Sequence, residues 1–162
     1  MSWSPDDKHL ASCSRDKIVW VWSFNSTAYE YECDFALEGH KEDIKAVLWI
    51  DQYTLASCSY DNSIKIWEKN DDDFECSATL EAHSSIVWNI AYDHTTGTLL
   101  SVGEDKKILK WKKNHNGKLQ LIDSYEGVHS FAIFTIALLA KDWVVTVKRK
   151  VFREVLTILS LL

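Results

Sequence analysis

The chain has 162 residues, 46% of them hydrophobic, and a formal charge of -6 at pH 7; that is ample apolar material for a core, and an acidic chain offers no footprint for a phosphate backbone, so direct nucleic-acid binding is not expected. The charge is uneven, with 22 acidic and 13 basic side chains in residues 1–128 against 2 and 5 in residues 129–162. No basic segment followed by an apolar run opens the sequence, and nothing approaches the roughly 18 uninterrupted apolar residues of a spanning helix, so cytosol or nucleus, with no membrane, is the expected compartment.

In chain order, Ser2-Trp3-Ser4-Pro5 reads as the end of a strand, and it is followed by the phrase LASCSRDKIVWVW (residues 10–22). The phrase returns as LASCSYDNSIKIW (55–67) and LLSVGEDKKILKW (99–111), so that Trp22, Trp67 and Trp111 stand 45 and 44 residues apart. The second repeat predicts strands at 44–49, 54–58, 63–67 and 74–80, with Tyr60-Asp61-Asn62 turning the chain into the third strand. The next repeat predicts strands at 86–92, 98–102, 107–111 and 118–123. Such a period, with Ser-x-Asp or Gly-x-Asp six residues before a strand-ending Trp and a His ahead of it, resembles the blade of a WD-repeat propeller.

The fold class expected is therefore all-β: a partial WD-repeat β-propeller of about three four-stranded blades (about 1–37, 38–80 and 81–125, together filling 1–130) plus an incomplete fourth. Propellers close with about four to eight blades, so the chain reads as a fragment of a larger ring. Residues 131–162 read as a degenerate partial blade or a divergent tail. Within them His129 and residues 132–138 resemble a blade junction and first strand, and 143–147 a second strand. Lys148-Arg149-Lys150 stands where Ser-x-Asp is expected and reads as a solvated turn; residues 151–162 are open between strand, helix and the product of aberrant splicing.

By the resemblance to such blades, a His donates to the turn Asp and accepts from a second-strand hydroxyl, which in turn is bonded to the indole of the strand-ending Trp. The sets are His40, Ser57, Asp61, Trp67 and His83, Ser101, Asp105, Trp111, with Ser12, Asp16 and Trp22 in the first repeat. A catalytic His, Ser and Asp would occur once rather than in every repeat, and no phosphate-binding Gly-rich loop or His-Glu-x-x-His pair is present, so no enzyme activity is expected. Cys13 and Cys58, and likewise Cys33 and Cys76, fall a whole repeat apart. Metal or cluster ligands must converge on one centre, so the thiols read as small buried or half-buried strand residues, and neither metal nor other cofactor is expected.

Partner contacts are expected on the turns beside the repeated His and Asp: Arg15, Tyr60 and Glu104 immediately before each Asp, Lys45 and Trp88 five residues after each His. Arg among aromatic side chains suits peptides and acidic surfaces; the plainer reading of Arg15 is a solvated turn residue. The stretches 10–22, 31–40 (YECDFALEGH) and 55–88, in particular Ser14-Arg15-Asp16-Lys17 leading into Val19-Trp20-Val21-Trp22, and Asp71-Asp72-Asp73 before Phe74-Glu75-Cys76, are similar to the WD-repeat subunit of the cytosolic iron-sulfur protein assembly (CIA) targeting complex. That resemblance implies a non-enzymatic adaptor that joins a small adaptor subunit and a HEAT-repeat subunit and recognises apo iron-sulfur proteins, with Arg15 at a client or partner contact. The alternatives are a substrate receptor of a ubiquitin ligase, whose Trp-Asp-x-Arg signature is missing after Trp22, Trp67 and Trp111, and a nonfunctional truncated product.

Overall fold

The computed structural model describes residues 1–140, 143–150 and 153–160, and every regular element in them is a strand. The first sheet runs β1 (Ser2–Trp3), β2 (His9–Cys13), β3 (Ile18–Asn25), β4 (Glu30–Glu38). The second runs β5 (Ile44–Asp51), β6 (Thr54–Ser59), β7 (Ile64–Lys69), β8 (Phe74–Leu80). The third runs β9 (Val87–Asp93), β10 (Thr98–Gly103), β11 (Ile108–Lys113), β12 (Leu119–Tyr125). The fourth has three strands, β13 (Ile133–Ala140), β14 (Trp143–Lys150), β15 (Arg153–Ser160). Each strand pairs antiparallel with its sequence neighbour, so each sheet is a meander built from hairpins. Three four-stranded sheets and a shorter fourth are the blades of a partial propeller.

The turn into the third strand is the same device three times. Lys17, Asn62 and Lys106, each directly after the repeated Asp, take the left-handed backbone at φ 69°, 69° and 68°. The Asp carboxylate holds that turn by accepting from the amide two residues on: Ile18 N–H to Asp16 Oδ1 at 3.2 Å, Ser63 to Asp61 at 3.0 Å, Lys107 to Asp105 at 3.2 Å. An Asx turn of this kind needs a short carboxylate or amide at the first position, which is why Asp recurs there. A register shift also recurs, between Val21/Trp22, Ile66/Trp67 and Lys110/Trp111, each against the fourth strand of its sheet. A bulge beside each repeat Trp sharpens the local twist of the outer hairpin.

The chain divides into two compact units, Met1–Glu81 and Ala82–Leu162. In the first, Ala11, Val19, Val21 and Leu37 of one sheet form a single buried cluster with Ile44, Val47, Trp49, Leu55, Trp67 and Phe74 of the next. In the second, Leu100, Val102 and Ile108 cluster with Ile133 and Ile136 of β13. Strands β6 and β10 are buried along their whole length, whereas β4 and β12 are mostly exposed.

Two expectations are corrected. Lys148-Arg149-Lys150 is not a turn: it is the end of β14, paired with Val155, Glu154 and Arg153 of β15. Across 153–160 the segment after it is a strand, because its backbone pairs antiparallel with β14 from Trp143↔Ser160 to Lys150↔Arg153. Second, Cys33 and Cys76 are exposed, not buried or half-buried. They sit on the outer strands opposite Trp22 and Trp67, at the bulge, where the fourth strand leaves the packed interior. Cys58 is buried and Cys13 half-buried, and burial pushes both thiols up in pKa.

Candidate functional site

The second and third sheets each hold a closed chain of polar side chains. His40 Nδ1 lies 2.8 Å from Asp61 Oδ2 and Nε2 lies 2.8 Å from Ser57 Oγ, which accepts from the Trp67 indole at 2.8 Å. His83 repeats this with Asp105 Oδ2 at 2.9 Å, Ser101 Oγ at 2.8 Å and the Trp111 indole at 3.0 Å. One tautomer satisfies each chain: Nδ1–H donates to the carboxylate, Nε2 accepts the hydroxyl proton, and the hydroxyl oxygen accepts the indole N–H. Asp61 is tied further by the Lys41 amide at 2.9 Å and the Ser63 hydroxyl at 2.6 Å, and Asp105 by the Ser84 amide at 3.0 Å.

Burial works against the charge on Asp61, but hydrogen bonds from Ser63, Lys41 and His40 outweigh it and hold the carboxyl down at about 2. Asp105 is likewise lowered: burial opposes, and the His83 hydrogen bond and charge prevail. Burial keeps His40 below its ordinary pKa despite Asp61, so the ring is neutral near pH 7. Ser57 and Ser101 are wholly buried with both lone-pair and proton directions spent inside the network, so neither hydroxyl presents a face to a substrate. The two assemblies are built to fix register, each buried polar group being paired.

The first sheet keeps half of this. Trp22 donates to Ser12 at 2.9 Å, but Asp16 is exposed and accepts instead from the Trp20 indole at 2.7 Å, a bond that lowers its pKa first and foremost. In the fourth sheet a third chain begins, unsignalled by the Ser-x-Asp pattern: His129 Nε2 lies 2.7 Å from Thr146 Oγ1, both buried. Thr146 stands four residues before Lys150, as Ser57 stands four before Asp61; the sequence pattern singled out His129 but not this hydroxyl, and a lysine stands at the carboxylate position. Among the described residues no three His, Cys, Asp or Glu side chains are placed to hold a metal ion.

The expected partner residues fall into two groups, each within one unit. In the first, Arg15 and Lys45 share one carboxylate that the sequence reading missed: Asp43 Oδ2 lies 3.8 Å from Arg15 Nε and 3.1 Å from Lys45 Nζ. The Lys45 ammonium also lies 5.0 Å from the centre of the Tyr60 ring. Arg15 is 91% exposed along its side chain. In the second unit the Trp88 indole donates to Glu104 Oε2 at 2.7 Å and lies tilted against the Phe134 ring, centroids 5.0 Å apart. In both sheets the residue before the network Asp thus meets the residue five after the network His, cation on ring in one and indole on carboxylate in the other.

Repeated four-stranded meanders, each carrying a His-Asp-Ser-Trp chain or its remnant, define a WD-repeat protein. The family model described as "WD domain, G-beta repeat" matches residues 1–23, 31–68 and 74–112, and the chain belongs to that family. Among curated relatives it is 38% identical over 125 residues to the "Probable cytosolic iron-sulfur protein assembly protein 1" of Vanderwaltozyma polyspora, covering 74% of this chain and 36% of that protein. It is 31% identical over 148 residues to the protein of the same name from Neurospora crassa, covering 68% and 32%. Likeness extends to the "Protein transport protein SEC13" of Saccharomyces cerevisiae, 30% over 120 residues, covering 70% and 40%. The chain spans about a third of the length of the two assembly proteins.

Proposed function

We propose that this chain serves as a non-enzymatic adaptor in cytosolic iron-sulfur protein assembly, its blades (about 1–37, 38–80 and 81–125) holding rim turns that grip partner proteins while the cluster, as cargo, is carried by others. The observation that carries the reading is its similarity, over most of the chain, to proteins named for cytosolic iron-sulfur protein assembly; the same names support the cytoplasm. Partners of the corresponding class are a small adaptor subunit, a HEAT-repeat subunit and apo iron-sulfur proteins. The networks of His40, Ser57, Asp61, Trp67 and of His83, Ser101, Asp105, Trp111 take the structural role. Contact falls to Arg15, Lys45 and Tyr60 on one unit and Trp88 and Glu104 on the other.

Arg15 is the sharpest of these. Two cations share the single Asp43 carboxylate, and a guanidinium this exposed retains its fork for a partner carboxylate. Arg15→Glu is expected to reduce recovery of partner or client by about tenfold or more while shifting stability by less than about 1 kcal/mol; unchanged capture removes Arg15 from the contact. Affinity purification of the chain from cytosol decides the wider reading. Recovery of a HEAT-repeat subunit with apo iron-sulfur enzymes supports it, and recovery of cullin components instead supports a ubiquitin-ligase receptor.

A further inference from the structure

The outer strand of the first sheet differs from its counterparts in a way that the adaptor reading does not use. β4 reads EYECDFALE and carries four carboxylates, Glu30, Glu32, Asp34 and Glu38, with no lysine, arginine or proline. The corresponding strands β8 and β12 carry one each, Glu75 and Asp123. β4 pairs with β3 on one side and, among the described strands of its unit, with nothing on the other. Seven of its nine residues are exposed.

Register sorts its side chains by face. Tyr31 is opposite Phe24, whereas Glu32 is opposite Ser23 and Glu30 opposite Asn25, so rings lie on one face and carboxylates on the other. The ring face continues into a cluster: Phe24 lies 5.2 Å from Tyr31 and 5.5 Å from Tyr29, and Trp3 lies 6.1 Å from Tyr31. All four rings are exposed, Tyr29 by 84%. On the other face Glu32 accepts from Asn25, and Asp34 accepts from Ser23 and lies 4.0 Å from His9 Nε2. Lys69 sits over the Phe35 ring at 5.1 Å. The Lys69 ammonium thus lies toward the far half of the strand, and the stretch Tyr29-Glu30-Tyr31-Glu32 leads into it as a negative, aromatic end.

From this placement we infer that β4 is a docking edge for an extended basic segment of a partner protein, which adds to the sheet as a fifth strand. Main-chain hydrogen bonds to the open edge would hold the segment, and alternate side chains would specify it. Cations on one side of the added strand meet Glu30 and Glu32; residues on the other side lie over the Phe24, Tyr29 and Tyr31 rings, which accept apolar groups and cations alike. A second copy of the same edge is a poor occupant, because four carboxylates would face four. Charge repulsion guards the edge against self-pairing, and a segment of opposite sign is drawn to it.

The probe is a fluorescent ten-residue peptide of alternating Arg and Val, titrated against the whole chain by anisotropy, with β4 amide hydrogen exchange followed in parallel. Expected are saturable binding and slowed exchange confined to residues 30–38. The peptide N-methylated at alternate residues, which loses the donors of one edge, and the E30Q/E32Q double variant are each expected to bind about tenfold more weakly or worse. Glu75→Gln on β8 is expected to leave affinity unchanged. Because Glu30 and Glu32 are exposed, the double variant retains its fold, and an unchanged unfolding midpoint verifies this. The proposal is overturned by absence of binding, by equal binding of the Glu-Val counterpart or of the N-methylated peptide, or by an equal loss on Glu75→Gln. Capture of partners through Arg15 is read separately and stands or falls without it.

Discussion

Asp61 and Asp16 occupy the same place in two repeats, yet their surroundings give them different weight. Asp61 accepts from His40, the Lys41 amide, the Ser63 amide and the Ser63 hydroxyl; its removal leaves several donors without an acceptor in a site with little water. Asp61→Ala is expected to lower stability by about 2–4 kcal/mol in urea unfolding. Asp16 is exposed and holds mainly the Trp20 indole and its own turn, where water can replace the carboxylate, so Asp16→Ala is expected to cost less than about 1 kcal/mol. Equal losses would show that the His is not what makes the carboxylate matter. The sequence announced both residues equally through Ser-x-Asp. The difference lies in the His that the second repeat supplies from 21 residues upstream.

At the scale of the strand, two glycines show how tightly the networks are boxed in. A Cβ at Gly103 would lie 2.7 Å from the Ile86 carbonyl oxygen, 3.0 Å from Asp105 Oδ1 and 3.1 Å from His83 Nδ1. These are backbone and network atoms that cannot retreat without breaking paired hydrogen bonds. At Gly39 the nearest atom is the edge of the Trp67 ring at 3.1 Å, one contact on a side chain held at its other end by Ser57. Gly103→Ala is therefore expected to cost about 2–4 kcal/mol and Gly39→Ala about 1–2 kcal/mol in thermal or denaturant unfolding. The strands of the second and third repeats were legible to within one or two residues from alternation and turn chemistry. The strand formed by 153–160 stayed open between strand and helix, because the basic run 148–150, which pairs with its first residues, looks like a turn until pairing is known.

Over the chain as a whole, the networks set an acid limit on stability. Burial holds His40 below the ordinary value of 6.5, so below that pH the unfolded chain takes up a proton that the folded chain refuses, and stability falls as pH drops. Asp61, held at about 2 against an ordinary 3.8, contributes stability in full above 3.8 that is lost as pH falls through about 2; Asp105 acts in the same direction. Midpoints of unfolding measured across pH are expected to decline in two stages, the first beginning near 6.5 and the second below 3.8. Asp61→Asn is expected to flatten the second stage, and a profile unchanged by that substitution would dissociate the carboxylate from acid unfolding.

What the amino-acid order determined alone was the period, the strand plan of the second and third repeats, the Asp turns and the His-Ser-Asp-Trp sets, because repeated local chemistry prints itself in the chain each time. Similarly, His129 pointed to a fourth junction, although its partner Thr146 emerged only with the sheet. Contacts and exposures set by pairing between strands needed three dimensions. Asp43 between Arg15 and Lys45, the Trp88 bond to Glu104, the exposure of Cys33 and Cys76, and the separation of rings from carboxylates along β4 all join residues through register and sheet packing. Pairwise geometry of that kind depends on where a bulge falls and which face a strand presents, and no spacing within a single strand encodes it.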